Sequence, residues 1–292
     1  MSVDNLQNKI RKKKNAVMLE LHVLPSDLPP HLLGEAVDVI AAMGQYYEQL
    51  LHGLKDLIPA IRFGFASFSV LGAPGVALLS RLLKLAGNLG YYVALDAPEL
   101  LSPKSAAAVA ASFLGPDSLY PCDGLIIGGY PGSDVIKPFL PYCREGKKDI
   151  FVVVRTANKS APELQDLLSG SRLVHAAAAD HVNRYGEDTV GKFGYTRVGI
   201  LAAASASDSL RNLRGKYPKL FMLLDGLDYP GSSFPKCVPA FDQYGHGAVI
   251  CVGDSVTCAW KQAESDRVDF VEQAQRSAER MKKNLSRYIT IL

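Results

Sequence analysis

The sequence predicts a single (β/α)8 TIM barrel spanning residues 1–292, with the barrel proper at about 16–257. Three observations carry that prediction. Eight short apolar segments alternate with helix-forming segments over one domain-sized length, which favours a closed barrel over an open sheet. No shift in composition marks a linker between them. The third segment, Tyr91-Tyr92-Val93-Ala94-Leu95, ends on Asp96 and is followed by an alanine-rich helix from about Ser105. An acidic residue at the carboxyl end of a strand feeding a helix is where such barrels place their chemistry.

A leader helix over about Val3 to Lys13 precedes the first strand, Ala16–Leu21, which His22 and a proline-rich turn close. An amphipathic helix over about Gly34 to Leu57 follows, with Val37, Ile40, Ala41, Tyr47, Leu51 and Leu54 near helical spacing. Strand two is Ala60–Phe65. The helix Ala73–Asn88 stops at Gly90 before strand three. Strand four, Gly124–Ile127, runs into Gly128-Gly129-Tyr130-Pro131-Gly132. Strand five, Asp149–Arg155, carries the continuous apolar run of a strand buried on both faces. The interval from Ser160 to Lys192 exceeds one connection, so an extra helix is expected at about Leu173 to Asn183. Strands six to eight are Arg197–Ala202, Leu220–Leu224 and Ala248–Val252, and a charged helix at about 258–288 closes the chain.

Composition narrows the function classes. A net charge of +3 without one long basic patch argues against nucleic acid. Arg11-Lys12-Lys13-Lys14 suits the negative end of the leader helix dipole. No apolar run approaches the ~20 residues of a membrane span, and no secretory segment opens the chain. The five scattered cysteines fit neither a zinc site nor a disulfide framework. A cytoplasmic setting follows as the expectation, and Asn158-Lys159-Ser160 is then a coincidental glycosylation triplet. His175, His181 and His246 lack metal-ligand spacing; His22, at a strand's carboxyl end, could face the mouth, with capping or packing the first expectation.

Several stretches together resemble the orotidine 5′-phosphate decarboxylase family, in its longer bacterial form, over about Asn8 to Trp260. They are the third strand; Ile126-Ile127-Gly128-Gly129-Tyr130-Pro131-Gly132-Ser133-Asp134; Phe151–Asn158 with Glu163-Leu164-Gln165-Asp166; and Gly191-Lys192-Phe193-Gly194-Tyr195-Thr196-Arg197. The resemblance implies a cofactor-independent, metal-free carboxy-lyase of pyrimidine biosynthesis that works as a homodimer across its active-site mouths.

Position by position, the chain departs from that pattern. The family's third strand ends in Asp-x-Lys-x-x-Asp; here the window is Asp96-Ala97-Pro98-Glu99-Leu100-Leu101, so Pro98 and Leu101 stand for the Lys and the second Asp. Glu99 lies nearby, and Lys104 is a distant substitute for the lost ammonium. The ribose-binding Asp of strand one falls on Leu21, or on Glu20 with a one-residue shift. Arg62 stands for the strand-two Lys, and Thr156-Ala157-Asn158 for Thr-Ser-Asn. At the phosphate end, Asp225-Gly226-Leu227-Asp228-Tyr229-Pro230 follows strand seven, with Pro230 near the family's Gln. Asp254 stands near its phosphate Arg.

The expected site is therefore Asp96 and Glu99 as catalytic candidates, with Arg62, Thr156, Asn158, Asp225 and Asp254 as binding candidates. Leu101 is expected at the dimer interface. The carboxylates at the phosphate end are either turn and cap residues or a pocket remade for a cation or amine. Three functions stay open: a non-decarboxylating pseudoenzyme that binds or regulates, a decarboxylase with relocated charges, and new chemistry on Asp96, Glu99 and Asp254.

Overall fold

The computed structural model describes residues 2–34, 38–98, 102–262 and 268–292. Eight strands close a parallel barrel in sequence order: β1 Val17–Leu21, β2 Ala60–Gly64, β3 Tyr92–Asp96, β4 Gly124–Gly128, β5 Asp149–Val153, β6 Thr196–Ala203, β7 Leu220–Asp225 and β8 Ala248–Val252. β1 pairs with both β2 and β8, so no sheet edge is left open. The apolar runs are covered on both faces, as parallel strands require.

Register decides what faces inward. Glu20 lies opposite Arg62, Arg62 opposite Ala94, and Gly64 opposite Asp96. Because side chains alternate, Leu21 and Phe63 point the other way, into the layer beneath the helices. The lower interior is filled by Tyr92, Phe151 and Phe221, with Phe151 and Phe221 edge to face at 6.1 Å. Gly124 makes this layer possible, since a Cβ there would overlap the Tyr92 hydroxyl. Above it the apolar filling stops and a charged layer begins.

The leader helix forms as α1, Ser2–Lys13, and buries Val3, Leu6 and Ile10. The long helix expected from Gly34 starts later, as α2 Val39–Leu54, because the Asp38 side chain caps it by accepting from the Ile40 N–H at 2.9 Å. A separate short turn, Pro30–Gly34, precedes it. α3 is Gly72–Asn88, stopped by Gly90 at φ +85°, and α4 is Pro103–Leu114, capped by Ser102. The long interval after β5 holds a small hairpin, Leu168–Ser169 with Arg172–Leu173, and the extra helix α5, Val174–Gly186. α6 is Ser207–Lys216. The closing helix begins later than Cys258, as α7 Phe270–Leu285, after a 3-10 turn at Ala259–Gln262. Phe270 stacks on Tyr46 at 4.9 Å and fixes α7 against α2. All five cysteines are free and buried. Among the described residues no helix is long and apolar enough to cross a membrane.

At the amino-terminal end of the barrel, α1 sits on a buried carboxylate. Asp149 accepts from the Val3 N–H at 3.0 Å and from the Tyr92 hydroxyl at 2.7 Å. Burial pushes its carboxyl up to about 7, against the pull of Tyr92, Ser2 and Val3. A carboxyl raised in the fold stabilises fully below its unfolded value, and that contribution is lost as pH rises through the folded value. Thermal stability is therefore expected to fall between about pH 4 and 7, by up to ~4 kcal/mol from this group. Asp149→Asn, which mimics the protonated acid, should remove that part of the slope in melts across the range. An unchanged slope would show that Asp149 is ionised throughout.

Candidate active site

The charged layer centres on Arg62, which is only 7% exposed. Its Nε and Nη2 donate to the two oxygens of Asp96 at 2.8 and 2.9 Å, a bidentate pair. Its Nη1 donates to Asp225 Oδ1 at 2.5 Å and lies 3.3 Å from Glu20 Oε1. Three strands thus point carboxylates at one guanidinium: β1 through Glu20, β3 through Asp96 and β7 through Asp225. Burial alone would lower the Arg62 pKa; the charges of Asp96, Glu20 and Asp225 outweigh it and hold the value well above the usual one. Burial would likewise raise Asp96, but Arg62 and His22 hold it below the ordinary carboxylate range. For Glu20 burial wins, and its carboxyl is raised despite Arg62 and His22.

His22 joins this layer from the turn after β1. Its Nε2 lies 3.4 Å from Glu20 Oε1 and 3.5 Å from Asp96 Oδ2. The ring lies over the end of β2, where a Cβ on Gly64 would overlap it. Of the two readings open for His22, facing the mouth or capping, the structure shows the first.

Above the layer a cleft of about 190 Å³ is lined by Glu20, His22, Asp225, Asp228, Tyr229 and Asp254, with Leu227, Cys251 and two glycines. Asp254 follows β8 and is exposed. Its carboxyl is raised by burial and then by Asp228 and Asp27, against Lys261 and His22. Asp228 accepts from the Gly253 N–H at 2.7 Å. Asp228 and Asp254 thus add two carboxylates above the three that Arg62 holds.

The structure brings Arg62, Asp96, Asp225 and Asp254 together at the carboxyl ends of the strands. Leu21 does not take part: it is fully buried on the outer face of β1, and Glu20 occupies the inward position. Arg155 points away, in a bidentate pair with Asp166 at 3.0 and 2.8 Å, and His175 joins that carboxylate at 3.1 Å. This cluster fastens the inserted hairpin. Thr156 and Asn158 bond to each other, and the Thr156 N–H donates to Gln165 at 2.8 Å, so their polar groups close on their own loop. Only Ala157 of that loop reaches Gly226 beside the cleft. Pro98 is half-buried just beyond β3. Glu99 and Leu101 lie outside the described residues. None of the described residues lining the cleft is a lysine.

Period-two alternation starting from Arg62 selects Glu20 over Leu21 and would have placed Cys251 in the same layer. Asp228 and Tyr229 carry no such signal, because only the fold of their loop turns them inward.

Glu20, His22 and Asp96 each offer one ligand atom, all within 4.8 Å of one another. Both Asp96 oxygens are already bonded to Arg62, so a metal ion would share its ligands with a cation. The free acceptors lie higher. Among the described residues no donor hydrogen-bonds the Asp254 carboxylate, and Tyr229 presents a half-exposed ring beside it.

Comparison with known proteins finds similarity along nearly the whole chain. The chain is 24% identical over 286 residues to the orotidine 5′-phosphate decarboxylase of Clostridium novyi, covering 98% of each chain. It is 28% identical over 249 residues to that of Rhodopirellula baltica, covering 84% of this chain and 82% of that one. The chain resembles orotidine 5′-phosphate decarboxylases over nearly its whole length. No family model matches it. Among solved structures, orotidine 5′-monophosphate decarboxylase from Plasmodium berghei superposes with a TM-score of 0.76 at 13% identity, over 97% of this chain and 99% of that one. The OMP decarboxylase of Leishmania donovani gives 0.72 at 24%, over 97% and 100%. At these identities the structural likeness speaks for the fold, and the residues must speak for the chemistry.

Proposed function

We propose that this chain is a non-decarboxylating relative of the orotidine 5′-phosphate decarboxylases whose barrel mouth takes a small organic cation in place of a nucleotide. The observation that carries the reading is the clamped Arg62: its guanidinium is tied to Asp96, Asp225 and Glu20. It is not free to meet a substrate carboxylate or phosphate. Decarboxylation of orotidine 5′-phosphate leaves a carbanion, which asks for a cationic proton donor at the reacting carbon. A guanidinium that stays protonated at all working pH values does not serve as that donor.

The electrostatics favour a cation instead. Burial first, and then the like charges of Asp228 and Asp27, keep Asp254 raised, and an ammonium group beside it would relieve the like-charge part. Tyr229 and Leu227 supply an aromatic face and an apolar patch, which suit an alkylammonium better than a bare metal ion.

Putrescine and uridine monophosphate serve as probes in thermal unfolding at low ionic strength. Putrescine is expected to raise Tm saturably and the nucleotide to leave it unchanged. The putrescine effect should weaken with salt, as a charge-driven contact does. Stabilisation by the nucleotide alone would reverse the reading. Magnesium acting as well as putrescine would point to metal binding instead.

The competing reading is a working decarboxylase with relocated charges. Similarity along 98% of both chains favours it, and turnover decides between the two.

A further inference from the structure

We infer that Asp228 is a built-in anion that closes the anion-gripping corner of this barrel, and so determines which ligands the mouth refuses. In (β/α)8 barrels the loops after strands seven and eight hold phosphate groups through backbone N–H donors. In this chain those donors already have an anion. β7 ends at Asp225, and Gly226 at φ +77° turns the loop back over the mouth. The turn is fastened by the Tyr229 N–H on the Gly226 carbonyl at 3.1 Å. Asp228 then reaches the loop after β8. Its Oδ2 accepts from the Gly253 N–H at 2.7 Å and from the Ser255 N–H at 3.4 Å, and its Oδ1 accepts from the Ser255 hydroxyl.

Two backbone donors and one hydroxyl therefore converge on a single carboxylate that comes from the neighbouring loop. A phosphate would need those same donors. It would have to displace a group tethered beside them, against the high effective concentration that tethering provides. It would also have to approach the exposed Asp254, which already feels Asp228. Phosphate is refused here by occupancy first and by charge second.

An unfavourable field alone would leave the donors empty and open to phosphate at high concentration. An occupied corner stays closed until the carboxylate is removed. The inference shares the view of a mouth that takes no nucleotide, but it does not depend on what the mouth takes instead.

Inorganic phosphate is the probe. It is titrated into the full chain and into Asp228→Ala and Asp228→Asn, with two readouts: Tm and the amide resonances of Gly253 and Ser255. Asp228→Ala is expected to bind phosphate at least roughly tenfold more tightly than the unaltered chain, seen as saturable stabilisation. The Gly253 and Ser255 amides should move with the titration. Asp228→Asn keeps an acceptor without the charge and should fall between the two.

A cooperatively folded Asp228→Ala with no greater phosphate response than the unaltered chain would overturn the inference. So would phosphate binding by the unaltered chain at those two amides. Should Asp228→Ala fail to fold, the amide shifts of Asp228→Asn decide: movement with phosphate supports the closed corner, and stillness refutes it. Putrescine is titrated in parallel. Loss of its effect sinks the cation reading alone, whereas a silent Asp228→Ala sinks this one alone.

Discussion

Given orotidine 5′-phosphate, the chain is expected to release no measurable CO2. Three separate requirements of the reaction go unmet. Proton delivery to the carbanion needs a cationic acid, and at the position where the resemblance puts one stands Pro98, which has no titratable group. Loss of such a group costs ~10²–10⁴-fold from proton transfer alone. Electrostatic support of the developing charge is worth about another 10²–10³-fold. Arg62 could offer that support only by leaving Asp96 and Asp225, which would strand two carboxylates. Phosphate anchoring then fails on Asp228, whose carboxylate holds the Gly253 and Ser255 donors, and on Asp254 beside it. Because the failures fall on different steps, Pro98→Lys with Leu101→Asp should still give little turnover. A continuous assay of orotate-ring absorbance, with coupled CO2 detection, measures it. Turnover of the unaltered chain at a thousandth of a typical kcat of ~10 s⁻¹ would sink the reading and establish relocated charges.

The barrel was legible in the sequence because it is written in repetition. Eight apolar runs at near-regular spacing leave few alternatives, and every expected strand forms, with ends shifted by one or two residues. The strand-one site position fell on Leu21, with Glu20 one residue away, for a physical reason. A shift of one residue exchanges the inner and outer faces, so the two alignments are neighbours in sequence and opposite in structure. Asp38 displaced the start of α2 because a single capping side chain outcompetes the apolar spacing of residues around it.

The site was most legible where strands carry it. Arg62, Asp96 and Asp225 follow from strand position, and their convergence follows from closure of the barrel. Asp254, just beyond β8, also reaches the cleft. Other loop residues did not follow. Arg155 sits at a strand end like Asp96, yet Asp166 and His175, brought by an inserted hairpin, turn it away. Asp228 lies three residues past β7, and its direction depends on the positive φ of Gly226. Asp228 bonds as a turn-and-cap carboxylate does. The partner, a loop 25 residues further along, was not visible.

Replacing Arg62 by methionine is expected to be the most damaging single change to stability. The side chain is 7% exposed, and three carboxylates depend on it. Removing one partner of a buried ion pair costs ~3–5 kcal/mol, because the opposite charge is left uncompensated. In a chain of this size that lowers Tm by about 10 °C. The sign of the pH dependence follows from the same network. In the unaltered chain Asp96 is held low, so it adds stability above its unfolded pKa and loses it as pH falls through its folded value. In Arg62→Met the same carboxyl should be raised, so its contribution runs the other way and is lost as pH rises. The gap between the two proteins should therefore be widest at neutral to alkaline pH and narrow towards pH 4. Arg62→Lys keeps the charge but not the fork, and should recover only part of the loss. Methylguanidine at millimolar concentration fits the hole left by Arg62→Met and should restore part of the Tm, while leaving the unaltered chain unmoved. Equal stability of Arg62→Met and the unaltered chain at pH 8 would show that these carboxylates are not charged together. The case for a cation-seeking mouth would then fall with them.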